Sequence, residues 1–278
     1  MTRYKVILEY DGTDLIGWQE NAQGPSVQSI VKDAIYKFCG VRPDVVGAGR
    51  TDAGVHAIAM AAHFDLPDDK HSAETVMRAL NFYLVGMPVV VLGCKIVSDE
   101  FNARFDCVAR HYEYVVLNRG ASPVLQKNRV YWVPRKLNID AMRVAAQKLL
   151  GNHDFTSFRA SECQAKSPIK TLDKIEITQN GDAIVFAFSA RSFLHHMVRN
   201  IVGTLIEIGL GKPYDIDEIL SANDMQRRFL DIGLTKNTIV ECVNVSPQGD
   251  PKAFLIRGAV IALRREDCQN ILIKEVAL

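Results

Sequence analysis

The chain has 278 residues, with 33 Lys plus Arg set against 32 Asp plus Glu, and 48% of its residues are hydrophobic. That composition can bury a sizeable core and excludes a disordered, collagenous or small disulfide-stapled chain. A net charge of +1 argues against histone-like binding by bulk charge, yet a local basic stripe can act while acids elsewhere balance the sum. The six cysteines (Cys39, Cys94, Cys107, Cys163, Cys242, Cys268) form no CxxC pair. Reduced, buried thiols in a cytoplasmic protein are therefore expected, with no disulfide frame and no zinc site. No stretch approaches the ~20 apolar residues of a membrane span, so no membrane partner is expected.

Lys5 to Tyr10 reads as a strand closed by the Asp11-Gly12 turn. Ser26 caps a helix whose apolar residues Val27, Ile30, Val31, Ala34, Ile35 and Phe38 follow a 3.6-residue period up to Gly40. Strands are predicted over Asp44 to Ala48 and Ala57 to Phe64, a helix from Ser72 to about Asn81, and a buried strand from Pro88 to Val97. The order then recurs: strand His111 to Leu117, helix Asn138 to Leu150 with Gly151 as its stop, strands Thr171 to Thr178 and Ala183 to Ser189, and a long helix from Phe193 to about Ile208. Both halves read β-α-β-β-α with a closing strand. The expected fold is α+β: two ferredoxin-like, split βαβ sandwich domains with antiparallel or mixed sheets and an active-site cleft between them. Residues 1–105 form the first domain, 106–246 the second, and 247–278 an atypical tail. In the second domain the closing strand is expected from Asn237 to Val245.

Between Glu100 and Lys136 seven Lys and Arg residues stand against Glu100, Asp106 and Glu113, with Tyr112, Tyr114, Tyr131 and Trp132 interleaved. Cations mixed with aromatics suit a phosphate backbone and unstacked bases, although an ordinary solvated loop has the same composition. The segment GAGRTDAGVHA, Gly47 to Ala57, holds three glycines and a single carboxylate, Asp52, beside Arg50. Such a loop lets a substrate approach the backbone closely, and Arg50 or another cation keeps the acid ionised. Catalysis and a structural Asx-turn are both open readings of Asp52 at this point. On the helix predicted from Phe193, capped by Ser192, His195, His196 and Arg199 would share one edge of an otherwise apolar cylinder. No acid occurs between Arg191 and Ile206, so a buried Arg199 needs a carboxylate from elsewhere, and Asp52 is the expected partner. Adjacent histidines diverge by about 100° on a helix, so packing or substrate contact is expected for them and a metal is not.

GRTDAGVHA at 49–57, FNARFD at 101–106, RHYEY at 110–114, DFTSFRA at 154–160 and FLHHMVRNIVGTL at 193–205 together resemble the bacterial tRNA pseudouridine synthase A family. The resemblance covers about residues 4–212. It implies isomerisation of uridine to pseudouridine at positions 38 to 40 in the anticodon arm of tRNA, with no metal and no organic cofactor, by a homodimer that does not act on DNA. Asp52 matches the family's essential aspartate and Tyr112 the tyrosine that stacks on the target uracil. Arg50 matches an arginine that holds the flipped nucleotide, Arg199 the arginine paired with the aspartate, and Arg104 a tRNA-contacting arginine. Beyond about Asn223 the chain departs from the family's ending, an Ala/Pro-rich segment followed by Gly-Leu-Tyr-Leu and a closing strand. A tRNA-binding or tRNA-folding protein that has lost turnover is the alternative reading. A nucleoside glycosidase is a remoter one, because such enzymes usually deploy two carboxylates.

Overall fold

The computed structural model describes residues 1–67, 70–160, 163, 165–210, 213–219, 229–236, 238–246, 250–268 and 271–275. The chain is a mixed α+β protein that divides into two compact units, Met1–Val108 and Ala109–Leu278.

In the first unit the elements run β1 (Thr2–Tyr10), α1 (Val27–Cys39), β2 (Val46–Gly47), β3 (Ala57–Leu66), α2 (Ala73–Tyr83) and β4 (Val89–Val97). The antiparallel sheet has the order β2-β3-β1-β4, so the first strand made is an interior one. Helix α1 begins where the sequence places it. Ser26 Oγ accepts from Ser29 N at 3.1 Å, Ser29 Oγ accepts from Ser26 N at 3.0 Å, and Gly40 closes the helix at φ 74° with its N–H on Tyr36 O. The apolar stripe of α1 packs with Val76 and Leu80 of α2 onto Tyr4, Val6, Leu8 and Phe64 of the sheet. Lys32 is buried on α1, and burial lowers its pKa. Hydrogen bonds to Asp44 and Glu20 more than offset that, leaving the pKa raised and the charge kept.

The second unit opens with β5 (Arg110–Asn118), β6 (Tyr131–Val133), α3 (Ile139–Gln147), β7 (Gly151–Asp154), β8 (Ile169–Asn180), β9 (Ala183–Ala190) and α4 (Met197–Gly209). Its sheet order is β6-β5-β9-β8-β7, with only β5 and β6 parallel. Helix α3 ends at Gln147, and Gly151, expected as its stop, instead opens β7 at φ 94°. Helix α4 starts four residues later than its apolar period suggests. Its N-cap is His196, not Ser192, and the two histidines precede the helix.

A third sheet comprises β10 (Pro213–Ile219), β11 (Ile239–Val245), β12 (Lys252–Ile256), β13 (Ala259–Leu263) and β14 (Ile271–Glu275), in the order β13-β12-β11-β10-β14. It has its own core of Phe229, Leu234, Val240, Ile256 and Leu263. The strand expected to close the second sheet is therefore β11, and its hydrogen bonds go to β10 and β12 instead. The tight Arg257-Gly258 turn joins β12 to β13, both residues having positive φ as a two-residue hairpin loop demands. The six cysteines are free and partly buried. Burial pushes the Cys94 thiol up to about 11 and raises those of Cys242 and Cys268, so these three are poor nucleophiles. No described helix is long and apolar enough to cross a membrane.

Candidate active site

Asp52 and Arg50 lie on the loop between β2 and β3. What shapes that loop is the segment just after β1. Trp18 N donates to Thr51 O at 2.9 Å, Gly54 N donates to Leu15 O at 3.3 Å, and the Tyr10 hydroxyl lies 2.9 Å from Thr51 Oγ1. Two glycines make this seating possible. A Cβ on Gly12 would stand 2.1 Å from Val55 O, and one on Gly17, at φ +105°, would stand 2.5 Å from Thr51 O. Gly47, at the loop's entry, lies flat against the Trp18 indole in the same way. At the exit His56 Nδ1 lies 3.2 Å from Gly12 N and 3.0 Å from Asp11 Oδ1. Thr51 is buried, Asp52 half-buried and Arg50 exposed. Val55 N donates to Asp52 O at 3.2 Å, closing a backbone turn that presents the Asp52 side chain.

FNARFD is a second clipped loop of this unit. Asn102 N donates to Asp106 Oδ2 at 2.7 Å, Asp106 N returns to Asn102 O, and Asn102 Oδ1 accepts from the backbone of Arg104 and Phe105. Arg3 forks onto Asp65 with two 2.7 Å bonds and also holds the carbonyls of Phe101 and Asp99. His63, 5% exposed, accepts from Ala103 N at 3.1 Å through Nδ1. Burial first, then the Arg3 charge, lowers the His63 pKa, which keeps the acceptor nitrogen free of a proton. Arg104 projects from this loop, exposed, its guanidinium 5.9 Å from the Phe105 ring.

In the second unit Tyr112 lies on β5 opposite Phe188, half-buried, with Phe193 edge-on at 5.1 Å and 88°. Burial, then Tyr131, raises the Tyr114 pKa, while the Arg199 charge opposes the shift. Arg199 is exposed near the start of α4. It has a partner within its own unit: Nη2 lies 3.1 Å from His196 Nδ1. The His195 and His196 rings do not diverge either, because His196 is left-handed at φ 61°, and their centroids stand 3.9 Å apart. DFTSFRA braces this corner. Asp154 Oδ1 caps Thr156, Asn200 Nδ2 donates to Phe158 O at 3.0 Å, and Ala160 N donates to His195 O at 3.0 Å. Arg50 and Asp52 thus share one loop, Tyr112 and Arg199 belong to the other unit, and Arg104 stands on its own loop in the first.

Residues 145–237 match the family model described as tRNA pseudouridine synthase. The tRNA pseudouridine synthase A of Paramagnetospirillum magneticum is 50% identical over 226 residues, spanning 81% of this chain and 88% of the relative. That of Bartonella bacilliformis is 46% identical over 231 residues, spanning 82% and 93%. The chain belongs to the tRNA pseudouridine synthase A family. It is accordingly an isomerase that converts uridine to pseudouridine in tRNA.

A second family model, the FeoA domain, matches residues 203–275 of the synthase and so overlaps the first over 203–237. A solution structure of the FeoA protein from Chlorobium tepidum aligns with 24% of the synthase and 64% of its own chain, at 22% identity and a TM-score of 0.23. Sequence reasoning missed Gly17, Trp18 and His63 as supports of the two loops. The signal for Gly17 was its place beside a tryptophan just before a helix cap. His63 gave none, since a lone histidine in a strand is unremarkable until its neighbour Ala103 is known.

Proposed function

We propose that the synthase acts on uridines 38 to 40 in the anticodon arm of tRNA, with Asp52 as its reacting carboxylate. The observation that carries this reading is the seating of the Asp52 loop on Gly12 and Gly17, which fixes a single half-buried carboxylate among residues too small to block a nucleotide. In the reaction the C1′–N1 bond breaks, the uracil turns, the C1′–C5 bond forms, the C5 proton leaves to solvent, and N1 takes up a proton in its place. Asp52 either adds to C1′ as the base departs or removes a proton from C2′ to give a glycal. Primary rate slowing with deuterium at C2′ selects the second route.

The target nucleotide must leave its stack first, at a cost of a few kcal/mol. Tyr112, already held upright by Phe193, offers an aromatic face that recovers ~1–3 kcal/mol by stacking on the uracil. Arg50 holds the flipped nucleotide, Arg199 pairs with Asp52 in a cleft between the two ferredoxin-like domains, and Arg104 meets the tRNA backbone. The working form is a cytoplasmic homodimer that grips one tRNA with both subunits and needs no metal or organic cofactor. The family resemblance of the motifs supports each of these assignments.

The test is tritium release from tRNA labelled at uridine C5, with single-uridine substitutions at 38, 39 and 40 to locate the target. Asp52→Ala is expected to lower release by about 1,000-fold or more, while Asp173→Asn, on an exposed strand position, leaves it unchanged. Binding without release in the parent protein would instead favour a tRNA-binding protein that has lost turnover.

A further inference from the structure

We infer that His196 is a positioning residue of the synthase: its imidazole accepts a hydrogen bond from Arg199 and thereby fixes where that guanidinium points. The inference rests on the reading above that Arg199 takes part in turnover.

Three observations converge on it. The backbone of His196 is left-handed, at φ 61° and ψ 5°, a conformation uncommon outside glycine though more accessible to Asn, Asp and His than to other residues. It is held there from both sides. The preceding carbonyl, His195 O, accepts from Ala160 N, and the following turn of α4 is tied down by Asn200 Nδ2 on Phe158 O. His196 O then accepts from Asn200 N at 3.0 Å, starting the helix. Strain of this kind persists where the surroundings over-determine it, and such places cluster at functional sites.

The second observation is what the left-handed turn does to the side chain. It swings the ring off the helical path and back over the first turn of α4, so that Nδ1 meets Arg199 Nη2 at 3.1 Å. A guanidinium has donors only, so Nδ1 must be the acceptor and the ring proton must sit on Nε2. Third, the His195 ring lies 3.9 Å away at 36°, which blocks rotation of the His196 plane. Arg199 is otherwise a long, exposed side chain with many rotamers open to it. A neutral acceptor locates it without consuming its charge, which an acid in the same place would do. The cation is then oriented and still available to a carboxylate or phosphate.

Substitutions at His196 separate backbone from acceptor. His196→Gly keeps the left-handed turn at ease but removes the acceptor. His196→Asn also tolerates that turn and places an amide oxygen near the position of Nδ1. On labelled tRNA, His196→Gly is expected to lower kcat about 10- to 100-fold, the range for losing a charge-assisted hydrogen bond, with KM within about twofold and Tm at or above that of the parent. His196→Asn is expected to recover kcat to within about fivefold. In an Arg199→Gln background, His196→Gly should cost nothing further. Parental kcat in His196→Gly while Arg199→Gln is inactive overturns the inference, and so does an equal loss in the Gly variant whether or not Arg199 is present. Full activity of Arg199→Gln would instead sink the reading on which the inference stands.

Discussion

A methyl group on Gly17 has nowhere to go. Its Cβ would press on the Thr51 carbonyl at 2.5 Å, and φ +105° is unfavourable for any L side chain. The outcome expected for Gly17→Ala is a displaced Asp52 loop on an intact sheet: kcat lower by about 10- to 100-fold for a shift near 1 Å, and a stability loss of about 1–3 kcal/mol. Gly24→Ala is the control, because its Cβ meets only the Ile16 side-chain methyl at 3.2 Å and its φ is ordinary. Steady-state tritium release and thermal melts on the pair decide the matter, and equal kcat in both variants would remove the seat from the mechanism. The loop itself was legible in the sequence because small residues around one acid are unusual wherever they occur. Its seat was not, since Gly17 and Thr51 are far apart in sequence and meet only in the folded unit. His196 was read wrongly for a related reason. Apolar spacing runs smoothly back to Phe193, and only the bonds to Ala160 and Phe158 show that the chain turns before it coils.

Between elements, the joint that governs the FNARFD loop is its contact with β3, through His63. Its folded-state pKa is lowered, by burial first and by Arg3 second, from an ordinary 6.5. The neutral ring is therefore favoured by folding. Its contribution to stability is fully present above about pH 6.5 and is lost as pH falls through the folded-state value. Protonation also removes the acceptor of the Ala103 N–H, so the loop carrying Arg104 should loosen in the same range. Denaturant melts of the parent and of His63→Gln at a series of pH values test this: the stability difference should shrink below pH 6.5, and a constant difference would discard the role. Helix α1 shows how far local chemistry can go, since Ser26, the apolar stripe and Gly40 mark its two ends and its buried face in the sequence itself. The short strands β6 and β7 escaped notice because three or four residues, mostly exposed, carry no periodicity, and only the neighbouring edges of β5 and β8 make strands of them.

At the scale of the whole chain, the relatives and the third sheet divide the molecule differently from a count of its residues. The sheet from β10 to β14 straddles the boundary after residue 246, beyond which a tail was expected, and its described strand pairings are all to one another. It packs on α4 through β11, where Glu241, its pKa raised by burial, feels the opposing charge of Lys148. Ile256 is 1% exposed in its core, and truncation to alanine should cost about 2–5 kcal/mol. We expect calorimetry of Ile256→Ala to show one transition moved to lower temperature and a second unmoved, with tritium release at 25 °C within twofold of the parent. A single transition, shifted as a whole, would mean that this sheet and the synthase core melt together. The near-zero net charge also looks different once partners are known. Asp65 is consumed by Arg3 and Glu74 by Arg78, while Asp68 and Asp69, expected to offset a basic surface, lie outside the described residues. The stretch from Arg119 to Lys136 keeps its cations exposed, and its base is closed by Asn118 bonds to Val133, Arg135 and Leu137.

The interior place of β1 has a consequence for biosynthesis. Its last residue, Tyr10, precedes the end of its partner β4 at Val97 by 87 residues. At ribosomal speeds that gap lasts roughly 4–17 s. Throughout it Tyr4, Val6 and Leu8, all fully buried in the finished sheet, travel without one of their two neighbouring strands. A nascent chain of this synthase therefore offers a chaperone a long window, and β1, translated before both of its partners, is among the last strands to be covered on both edges.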